Sequence, residues 1–276
     1  MTFVYKKWEQ VCRFFKEKGV YSIPAQEVQG NADQYLVLKH DVETNVKRAY
    51  NIAKIEHKYG HRGSYYVQAY LLKNQKNLIL LKKIQEMGHE ISYHYDVMDS
   101  NKGDMEKALI EFEENRKSFE ENGFLIKTVC QHGNPVIERK GYTSNRDFFR
   151  SERVQELYPN LSDIMVDYAQ KKGLQYTYYS DAGRKFKLIF DPFNNDLVNS
   201  DDKNIVYENL ESLLASINVE GGNIISIHPH RWTKLYITYL FHATFFYSAK
   251  FIAKILIKIP FIKRILEKHY NLAKKF

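Results

Sequence analysis

Short apolar runs alternate with longer segments of helical period along the first half of the chain. The run "YLVLKHDVE" has the composition of a buried strand, and after it Val46, Tyr50 and Ala53 recur at helical spacing before Gly60 ends the helix. Two more apolar runs, "GSYYVQAY" and "HEISYHYD", enclose the short amphipathic helix "NLILLKKIQEMG". This β-α-β-α-β order predicts a parallel sheet with crossover helices.

The second half continues the alternation less regularly. A charged helix, "DMEKALIEFEENRKSFEENG", precedes the strand "FLIKTVCQHGNP", whereas residues 136–172 lack a clear period and are predicted to form a loop and a short helix. The runs "LQYTYYSDAGR" and "LIFDP" predict strands, "IVYENLESLLASI" predicts a helix, and "GGNIISIHPHRW" predicts the last strand. Because no sequence repeat divides the chain, we predict one α/β domain over residues 1–232 and an appended tail over residues 233–276.

Polar side chains collect where the predicted strands end. The segments "LKHDVE", "ISYHYD", "VCQHGNP", "YYSDAGR" and "SIHPHRW" each finish with His, Asp or both. Active sites of βα barrels lie at the carboxyl ends of their strands, where polar side chains leave the packed interior. If these strands enclose one barrel, its rim holds six candidate residues: Asp41, Glu43, His94, His132, Asp181 and His228. Imidazoles and carboxylates bind divalent metals, and the surplus members suit proton transfer.

Each candidate also has a purely structural interpretation, because a single histidine at a strand end is more often a satisfied structural residue than a ligand. The coincidence at five strand ends favours a functional site. Asp181 is weaker evidence, since "DAG" is also a common turn sequence. His57 and His61 lie at a helix end and are predicted to be solvated, and Asp163 and Asp167 are predicted to be helix-surface acids.

Charge and cysteine usage narrow the function classes. The chain has a net charge of +8, but nine Lys and Arg against the single acid Glu267 lie from Thr233 onward, so the remainder is close to neutral. A nucleic-acid enzyme spreads basic side chains around its cleft, so we expect no nucleic-acid partner. Cys12 and Cys130 have no paired spacing, and the first residues lack the apolar run of a secretory signal. These features predict a cytoplasmic protein.

The order of five motifs resembles the polysaccharide deacetylase superfamily, the metal-dependent carbohydrate esterases of the NodB-homology fold. The motifs are "KHDVE", "GHEISYHYD", "CQHGNP", "SDAGR" and "SIHPHRW", and the resemblance covers roughly residues 35–232. It implies a distorted, incomplete (β/α) barrel that removes an acetyl group from an N-acetylated sugar in the biosynthesis of a surface glycan, such as O-antigen, capsule or exopolysaccharide. The expected cofactor is a divalent metal, with zinc first and cobalt, manganese or nickel as alternatives.

Carried over residue by residue, the resemblance implies that Asp41 and His94 bind the metal and that His228 is the catalytic acid. The chain departs from the family where adjacent aspartates usually stand, because here the order is "HDVE" and the second carboxylate is Glu43. It also has Met98 where a second metal-binding histidine is usual. One customary ligand therefore needs a replacement.

His132, in "CQHGNP", is the nearest replacement in kind, with Asp96 and Asp99 as alternatives. The predicted metal ligands are Asp41, His94 and His132. Glu43 is predicted to accept a proton from water and His228 to protonate the departing amine, with the assignment of the base to Glu43 or to the neighbouring aspartate left open.

Substrate contacts are predicted for five further residues: Asn134, Asp181, Arg184, His230 and Trp232. Among them, Asp181 or Arg184 is also expected to orient His228, and Trp232 to offer a flat apolar face to a sugar ring. The alternative function is a barrel of the same fold that binds glycan or protein without catalysis. The enzyme is the favoured hypothesis, with an N-acetylated sugar or glycan as its partner.

The tail has the pattern of an amphipathic helix. Residues 235–249 are an uncharged, aromatic-rich run of fifteen, and Lys250, Lys254 and Lys258 then recur every fourth residue before Pro260. Such a run is too short to span a bilayer, so we expect a helix in the interface of an anionic membrane surface, at its inner face. A helix docked on the barrel is the alternative. The predicted fold class is thus an α/β incomplete barrel with a C-terminal amphipathic helical tail.

Overall fold

The structure is a computed structural model that describes residues 1–133, 137, 139–193 and 204–256, with the backbone alone for 249–256. Its α-helices, in chain order, are α1 (Tyr5–Glu17), α2 (Val46–Lys58), α3 (Gln75–Glu86), α4 (Val97–Ser100), α5 (Met105–Glu121), α6 (Asp147–Arg150), α7 (Glu152–Leu157), α8 (Tyr168–Lys172), α9 (Leu210–Ser216) and α10 (Tyr236–Leu256). Its strands are β1 (Tyr35–Val42), β2 (Ser64–Val67), β3 (Glu90–Tyr95), β4 (Thr128–Gln131), β5 (Ser162–Asp163), β6 (Thr177–Ser180), β7 (Phe186–Ile189), β8 (Ile205–Tyr207) and β9 (Gly222–Ile227).

These strands form one nine-stranded sheet in the order β5-β4-β3-β2-β1-β9-β6-β7-β8. Neighbours from β5 to β6 are parallel, whereas β7 and β8 extend the sheet as antiparallel strands. The outermost strands of the described sheet, β5 and β8, do not pair with each other, so the barrel is incomplete as predicted. The parallel strands bring their carboxyl ends to one edge, where a βα fold places its functional side chains.

Strand β1 is buried on both faces, which explains its nearly continuous apolar sequence. Leu36 and Leu38 pack in the core between the sheet and the outer helices, and Val37 packs in a second core inside the barrel. Because successive side chains of a strand point to opposite faces, Lys39 and Asp41 follow Val37 into the interior. The polar side chains of β1 are therefore divided between the inner face of the sheet, with Lys39 and Asp41, and its outer face, with His40.

The outward polar residue of β1, His40, meets a buried carboxylate on α2. Glu56 accepts hydrogen bonds from Trp8 Nε1 at 2.9 Å and from the Tyr65 hydroxyl at 2.7 Å, and its Oε1 lies 2.8 Å from His40 Nε2. Burial would raise the pKa of Glu56, but the charges of His40 and His89 and its hydrogen bonds outweigh burial and lower it. This ionised carboxylate joins α1, α2, β1 and β2 around one buried point.

The structure differs from the predicted elements in several places. Helix α1 precedes the first predicted element and buries Trp8 and Phe15 against the core. In the segment predicted as one helix, Ile205–Tyr207 forms β8 along β7, and α9 begins only after Asn209, whose side chain accepts a hydrogen bond from Ser212 N. Residues 136–172 contain α6, α7, β5 and α8 where one short helix was expected. These short elements depend on pairing at the edge of the sheet and on helix caps, and neither produces a periodic pattern of apolar residues in the sequence.

Three residues predicted to lie at the surface are buried: His61, Asp163 and Asp167. His61 Nε2 lies 2.8 Å from the carbonyl oxygen of Cys12, so the ring ties the end of α2 to α1. Asp163 accepts a hydrogen bond from the Tyr95 hydroxyl at 2.6 Å, and Asp167 accepts one from the Asp163 backbone at 2.7 Å. Burial nevertheless raises the pKa of Asp163 to about 7. The surface interpretation was wrong because His61 and Asp163 bind partners that are distant in sequence, and Asp167 packs beside Asp163.

Helix α10 starts directly after a parallel bridge between Val4 and Thr233. Tyr239 on this helix packs against Phe3, with ring centroids 6.2 Å apart. Among the described helices, none combines the length and the apolar character that crossing a membrane requires. The predicted division of the chain after residue 232 stays a prediction.

The Glu56 cluster generates a stability prediction. We expect Glu56→Ala to lower the free energy of unfolding by about 3–5 kcal/mol, because it leaves the buried Trp8 and Tyr65 donors without their acceptor. The matched control on the exposed side of the same helix, Lys54→Ala, should change it by less than about 1 kcal/mol. Urea denaturation followed by circular dichroism measures both, and equal losses would contradict a structural role for the cluster.

Candidate functional site

The carboxyl ends of five neighbouring strands, β4, β3, β2, β1 and β9, surround one polar site. Asp41 lies near the end of β1 and Glu43 just beyond it, while His94 belongs to β3. His132 follows β4, and His228 follows β9. Parallel pairing in register, such as that of His94 with its neighbour on β4, keeps these positions at one level. The rim predicted from the strand ends is therefore present for these five residues.

Two overlapping groups of side chains have ligand atoms close enough to hold one metal ion. Glu43, His94 and His132 form one group, and Asp41, His94 and Cys130 form the other, with all ligand atoms of a group within 4.8 Å of one another. The predicted set of Asp41, His94 and His132 is thus divided between two groups that share His94. The surroundings of Asp41 and Glu43 distinguish the two groups.

His94 has the geometry of a metal ligand. Its Nδ1 lies 3.0 Å from the carbonyl oxygen of Cys130, and because a carbonyl only accepts, Nδ1 carries the hydrogen. The other nitrogen, Nε2, is buried and has no hydrogen-bond partner among the residues that the structure describes. Burial lowers the pKa of His94 to about 3, so the ring is neutral. A neutral imidazole oriented through one nitrogen and free at the other fits a divalent ion, whereas a buried structural histidine normally uses both nitrogens.

The Glu43 carboxylate is surrounded by three imidazoles. Its Oε1 lies 3.3 Å from His132 Nε2 and 3.6 Å from His228 Nε2, and its Oε2 lies 3.7 Å from His230 Nδ1. Burial would raise the pKa of Glu43, but the hydrogen bond with His132 and the electrostatic influence of the surrounding imidazoles outweigh it and lower the pKa well below its usual range. Glu43 is therefore an ionised, partly exposed carboxylate at the centre of the site.

Asp41 is held differently, by a buried lysine that sequence analysis did not single out. Lys39 Nζ donates to Asp41 Oδ1 at 2.6 Å and Oδ2 at 2.7 Å, and to Ser226 Oγ at 3.2 Å. Burial would raise the pKa of Asp41, but Lys39, His94 and His228 outweigh burial and lower it to about 2. The spacing of two residues within β1, which places both side chains on one face, was the available signal.

Cys130, the third member of the other group, is a poor ligand in its present surroundings. Burial raises the pKa of its thiol well above the usual range, and the nearby Asp41 raises it further, although Lys39 opposes this. Metals bind the thiolate rather than the thiol. Glu43, His94 and His132 therefore form the ligand set that fits a zinc-type ion, since it offers only carboxylate and imidazole donors.

His228 is oriented by Asp181. His228 Nδ1 lies 2.6 Å from Asp181 Oδ1, and the His228 backbone nitrogen donates to both carboxylate oxygens. Arg231 Nη1 and Trp232 Nε1 donate to the same carboxylate at 3.2 and 3.0 Å. Asp181 is fully buried, so it orients His228, as one of its predicted roles required, but it is not accessible for the predicted substrate contact. His228 Nε2 faces Glu43 and lies 3.9 Å from Asp41 Oδ2.

The prediction that Trp232 presents a flat face to a sugar was wrong. Its side chain is fully buried, with ring centroids 5.1 Å from Phe3 and 5.4 Å from Trp8. A short 3₁₀ turn, Pro229–Arg231, follows β9 and turns the chain so that the indole enters the core. The sequence does not reveal this arrangement, because the hydrogen-bond partner of the Trp232 indole, Asp181, lies at the end of another strand.

Asp99, an alternative ligand in the sequence analysis, is already occupied. Its carboxylate accepts from Arg139 Nε at 2.9 Å, from the Tyr142 hydroxyl at 3.1 Å and from Asn145 Nδ2 at 2.8 Å. Asn145 Nδ2 also donates to the His132 carbonyl oxygen at 2.8 Å. This network fixes the backbone of His132 instead of supplying a ligand, and the other alternative, at residue 96, belongs to neither ligand group.

The remaining predicted substrate residues have mixed positions. His230 is partly exposed beside Glu43, with 24% of its side chain accessible. Arg184 lies over the Phe246 ring of α10, 5.0 Å from its centre. Asn134 lies outside the described residues. Contacts of Asn134, Arg184 and His230 with a substrate stay predictions.

Two solved structures show a weak likeness to the chain. The Xyl-CE4 domain of a multidomain xylanase from the hindgut metagenome of Trinervitermes trinervoides has 13% sequence identity and a TM-score of 0.34, over 52% of this chain and 93% of that chain. The Bdellovibrio bacteriovorus peptidoglycan deacetylase Bd3279 has 12% identity and a TM-score of 0.35, over 76% of this chain and 48% of that chain. No protein-family model and no curated protein matches the chain. At TM-scores this low, neither likeness carries an argument about function.

The position of Trp232 generates a prediction that separates packing from binding. We expect Trp232→Ala to lower the free energy of unfolding by about 3–5 kcal/mol, because it opens a cavity between Phe3 and Trp8. The control Phe190→Ala, at an aromatic that is 62% exposed, should change it by less than about 0.5 kcal/mol. Chemical denaturation measures both. Unchanged stability in the Trp232 variant would restore the surface position that the sequence suggested.

Proposed function

We propose that this protein is a metal-dependent hydrolase that removes an acetyl group from an N-acetylated sugar. The observation that carries the proposal is the buried, unpartnered Nε2 of His94, which shares a ligand group with Glu43 and His132. Beside this group lie an ionised carboxylate, Asp41, and an oriented imidazole, His228, which suit proton transfer. The motif resemblance to the polysaccharide deacetylase superfamily supports the choice of substrate class.

In this proposal Glu43, His94 and His132 hold the ion, so that the roles predicted for Asp41 and Glu43 are exchanged. Asp41 is the less suitable ligand for electrostatic reasons, because the Lys39 ammonium 2.6 Å from its Oδ1 repels a second cation at that carboxylate. Among the described residues, the ion-pair partners of Glu43 are imidazoles. When bound, a divalent ion of the zinc type lowers the pKa of water and polarises an amide carbonyl.

The protein's own groups supply the proton transfers. Lys39 keeps Asp41 ionised, so Asp41 can accept the proton of the water that attacks the amide carbon. His228 delivers a proton from Nε2 to the departing amine, while Asp181 at Nδ1 stabilises the imidazolium form and its orientation. His230, partly exposed at the mouth, is placed to contact the sugar.

The proposal also covers the identity of the ion, the kind of glycan and the place of the reaction. The ion is zinc by preference, with cobalt, manganese or nickel as substitutes. The substrate is a glycan made for the cell surface, and the reaction takes place in the cytoplasm, at the inner face of a membrane. The basic composition of the tail supports the membrane location, and the reducing compartment fits two cysteines that are both free and buried.

Metal titration distinguishes the two ligand groups. We expect Glu43→Gln to weaken zinc binding by more than about 100-fold, because it removes an anionic donor, and His94→Ala to abolish binding. Cys130→Ser, which alters only the other group, should leave the affinity unchanged. Isothermal titration of the metal-free protein measures all three. Retained affinity in Glu43→Gln with a loss in Cys130→Ser would move the ion to the group that contains Asp41.

Acetate release tests the catalytic assignments. We expect the zinc-loaded protein to release acetate from N-acetylhexosamine oligosaccharides and to lose activity on chelation. His228→Asn and Asp41→Asn should slow turnover by about 10²- to 10⁴-fold while retaining zinc, because each removes a proton-transfer group but no ligand. Zinc loss in Asp41→Asn would return that residue to the ligand set. Zinc binding without acetate release from any N-acetylated glycan would favour a non-catalytic binding barrel.

A further inference from the structure

Helix α10 carries an exposed apolar face. Ile237, Leu240, Phe241 and Phe245 are 72%, 41%, 71% and 68% exposed, and their spacing of three and four residues places them on one side of the helix. A soluble protein rarely leaves so many large apolar side chains together in water unless the surface binds a partner. The face is therefore a candidate interaction surface.

The opposite side of α10 attaches the helix to the body of the protein. Tyr239 packs on Phe3, and His242 Nε2 lies 3.0 Å from Arg48 Nη2. Ala243, one residue further along this side, is only 8% exposed. Because one side of α10 is held in this way, the apolar face of Ile237 to Phe245 points away from the described part of the body.

The attachment also connects α10 to the catalytic segment after β9. Arg48 donates through Nη1 to the carbonyl oxygen of His230, and through its second guanidinium nitrogen it contacts His242 on the helix. Arg184, which follows the strand end carrying Asp181, lies over Phe246 of the same helix. The body-facing side of α10 is thus joined to residues that flank the site.

The positive charge of the sequence around α10 indicates what kind of partner binds its exposed face. Residues 235–249 contain no charged side chain, and nine Lys and Arg against one acid lie from Thr233 to the end of the sequence. In sequence, the apolar spacing continues with Ile252 and Ile255 between Lys250 and Lys258. Aromatic and aliphatic residues on one face, followed by clustered lysines, are typical of a helix that lies in the interface of an anionic bilayer.

We propose that the exposed face of α10 binds the interface of an anionic lipid bilayer and that the substrate is a glycan anchored in that bilayer by a lipid. The second half of the inference rests on the proposed deacetylase function, whereas the first half does not. A soluble sugar would gain nothing from a site held at the membrane. A lipid-linked glycan would be concentrated at the bilayer that α10 binds, and α10 is joined through Arg48 to the His230 segment.

Vesicle sedimentation of the full chain tests the docking surface. We expect binding to vesicles of phosphatidylglycerol and phosphatidylcholine, with much weaker binding to phosphatidylcholine alone and a decrease at high ionic strength. The double variant Phe241→Ser and Phe245→Ser should lower the partition coefficient by at least about tenfold. The matched control, Ile110→Ser with Leu125→Ser, changes two residues that are each 60% exposed and distant in sequence from α10, and it should bind as the unaltered protein does.

Two other occupants of the face give distinct results, and each overturns the proposal. If a second copy covers it, sedimentation velocity without lipid will show a dimer that the α10 double variant loses. If another segment of the chain covers it, the double variant will unfold at a lower temperature than the matched control. Indifference of binding to lipid charge, or equal partitioning of the double variant and the unaltered protein, also overturns it.

The substrate class is tested with one N-acetylated oligosaccharide in two forms, free in solution and linked to a lipid in anionic vesicles. We expect faster acetate release from the lipid-linked form, and the α10 double variant should lose this advantage while keeping its rate on the free form. Equal rates on both forms by vesicle-bound protein would refute the lipid-linked substrate. Vesicle binding without hydrolysis of either form would refute the proposed function and leave the docking surface intact.

Discussion

Strand β1 is buried on both faces and yet carries ionisable side chains, and the rest of the fold is arranged to satisfy them. An ionised group removed from water costs several kcal/mol, on the order of a large part of a domain's stability, unless a counter-charge and hydrogen bonds replace the water. On the outer side, the buried Glu56 carboxylate lies 2.8 Å from His40 Nε2 and accepts a hydrogen bond from Trp8 Nε1. Lys39 and Asp41 satisfy each other on the inner side. The positions of α1 and α2 relative to the sheet follow from this requirement.

The interior of the site continues the same pairing of charges. Glu43 is balanced by imidazoles, and Asp181 by His228 and Arg231. Within the described part of the site, three buried imidazole nitrogens nevertheless have no hydrogen-bond partner: His94 Nε2, His132 Nδ1 and His230 Nδ1. His94 and His132 belong to one ligand group, and buried nitrogens without a partner there are more informative than the presence of histidines alone, because histidines occur in both structural and functional networks.

The sequence predicted those parts of the fold and the site that depend on strand alternation alone. Parallel strands carry their last residues to one edge, so the gathering of Glu43, His94 and His228 could be inferred without coordinates. The burial of Trp232 could not, because it depends on a hydrogen bond to Asp181 from a different strand end. The choice between Asp41 and Glu43 as the metal ligand depended on the ion pair of Lys39 with Asp41. Burial of both side chains away from water causes this pairing, and the pattern of apolar and polar residues does not reveal it.

The position of β9 has a consequence for how the chain is made. The last of the described strands lies in the middle of the sheet, beside the first, so one edge of β1 has no partner until β9 has been synthesised. An unpaired, largely apolar strand invites pairing with other chains. Charged side chains that point inward are one of the ways in which proteins discourage such pairing, and Lys39 and Asp41 have that position. Lys39 and Asp41, which the proposed function also uses, thus have the position of residues that disfavour such pairing during synthesis.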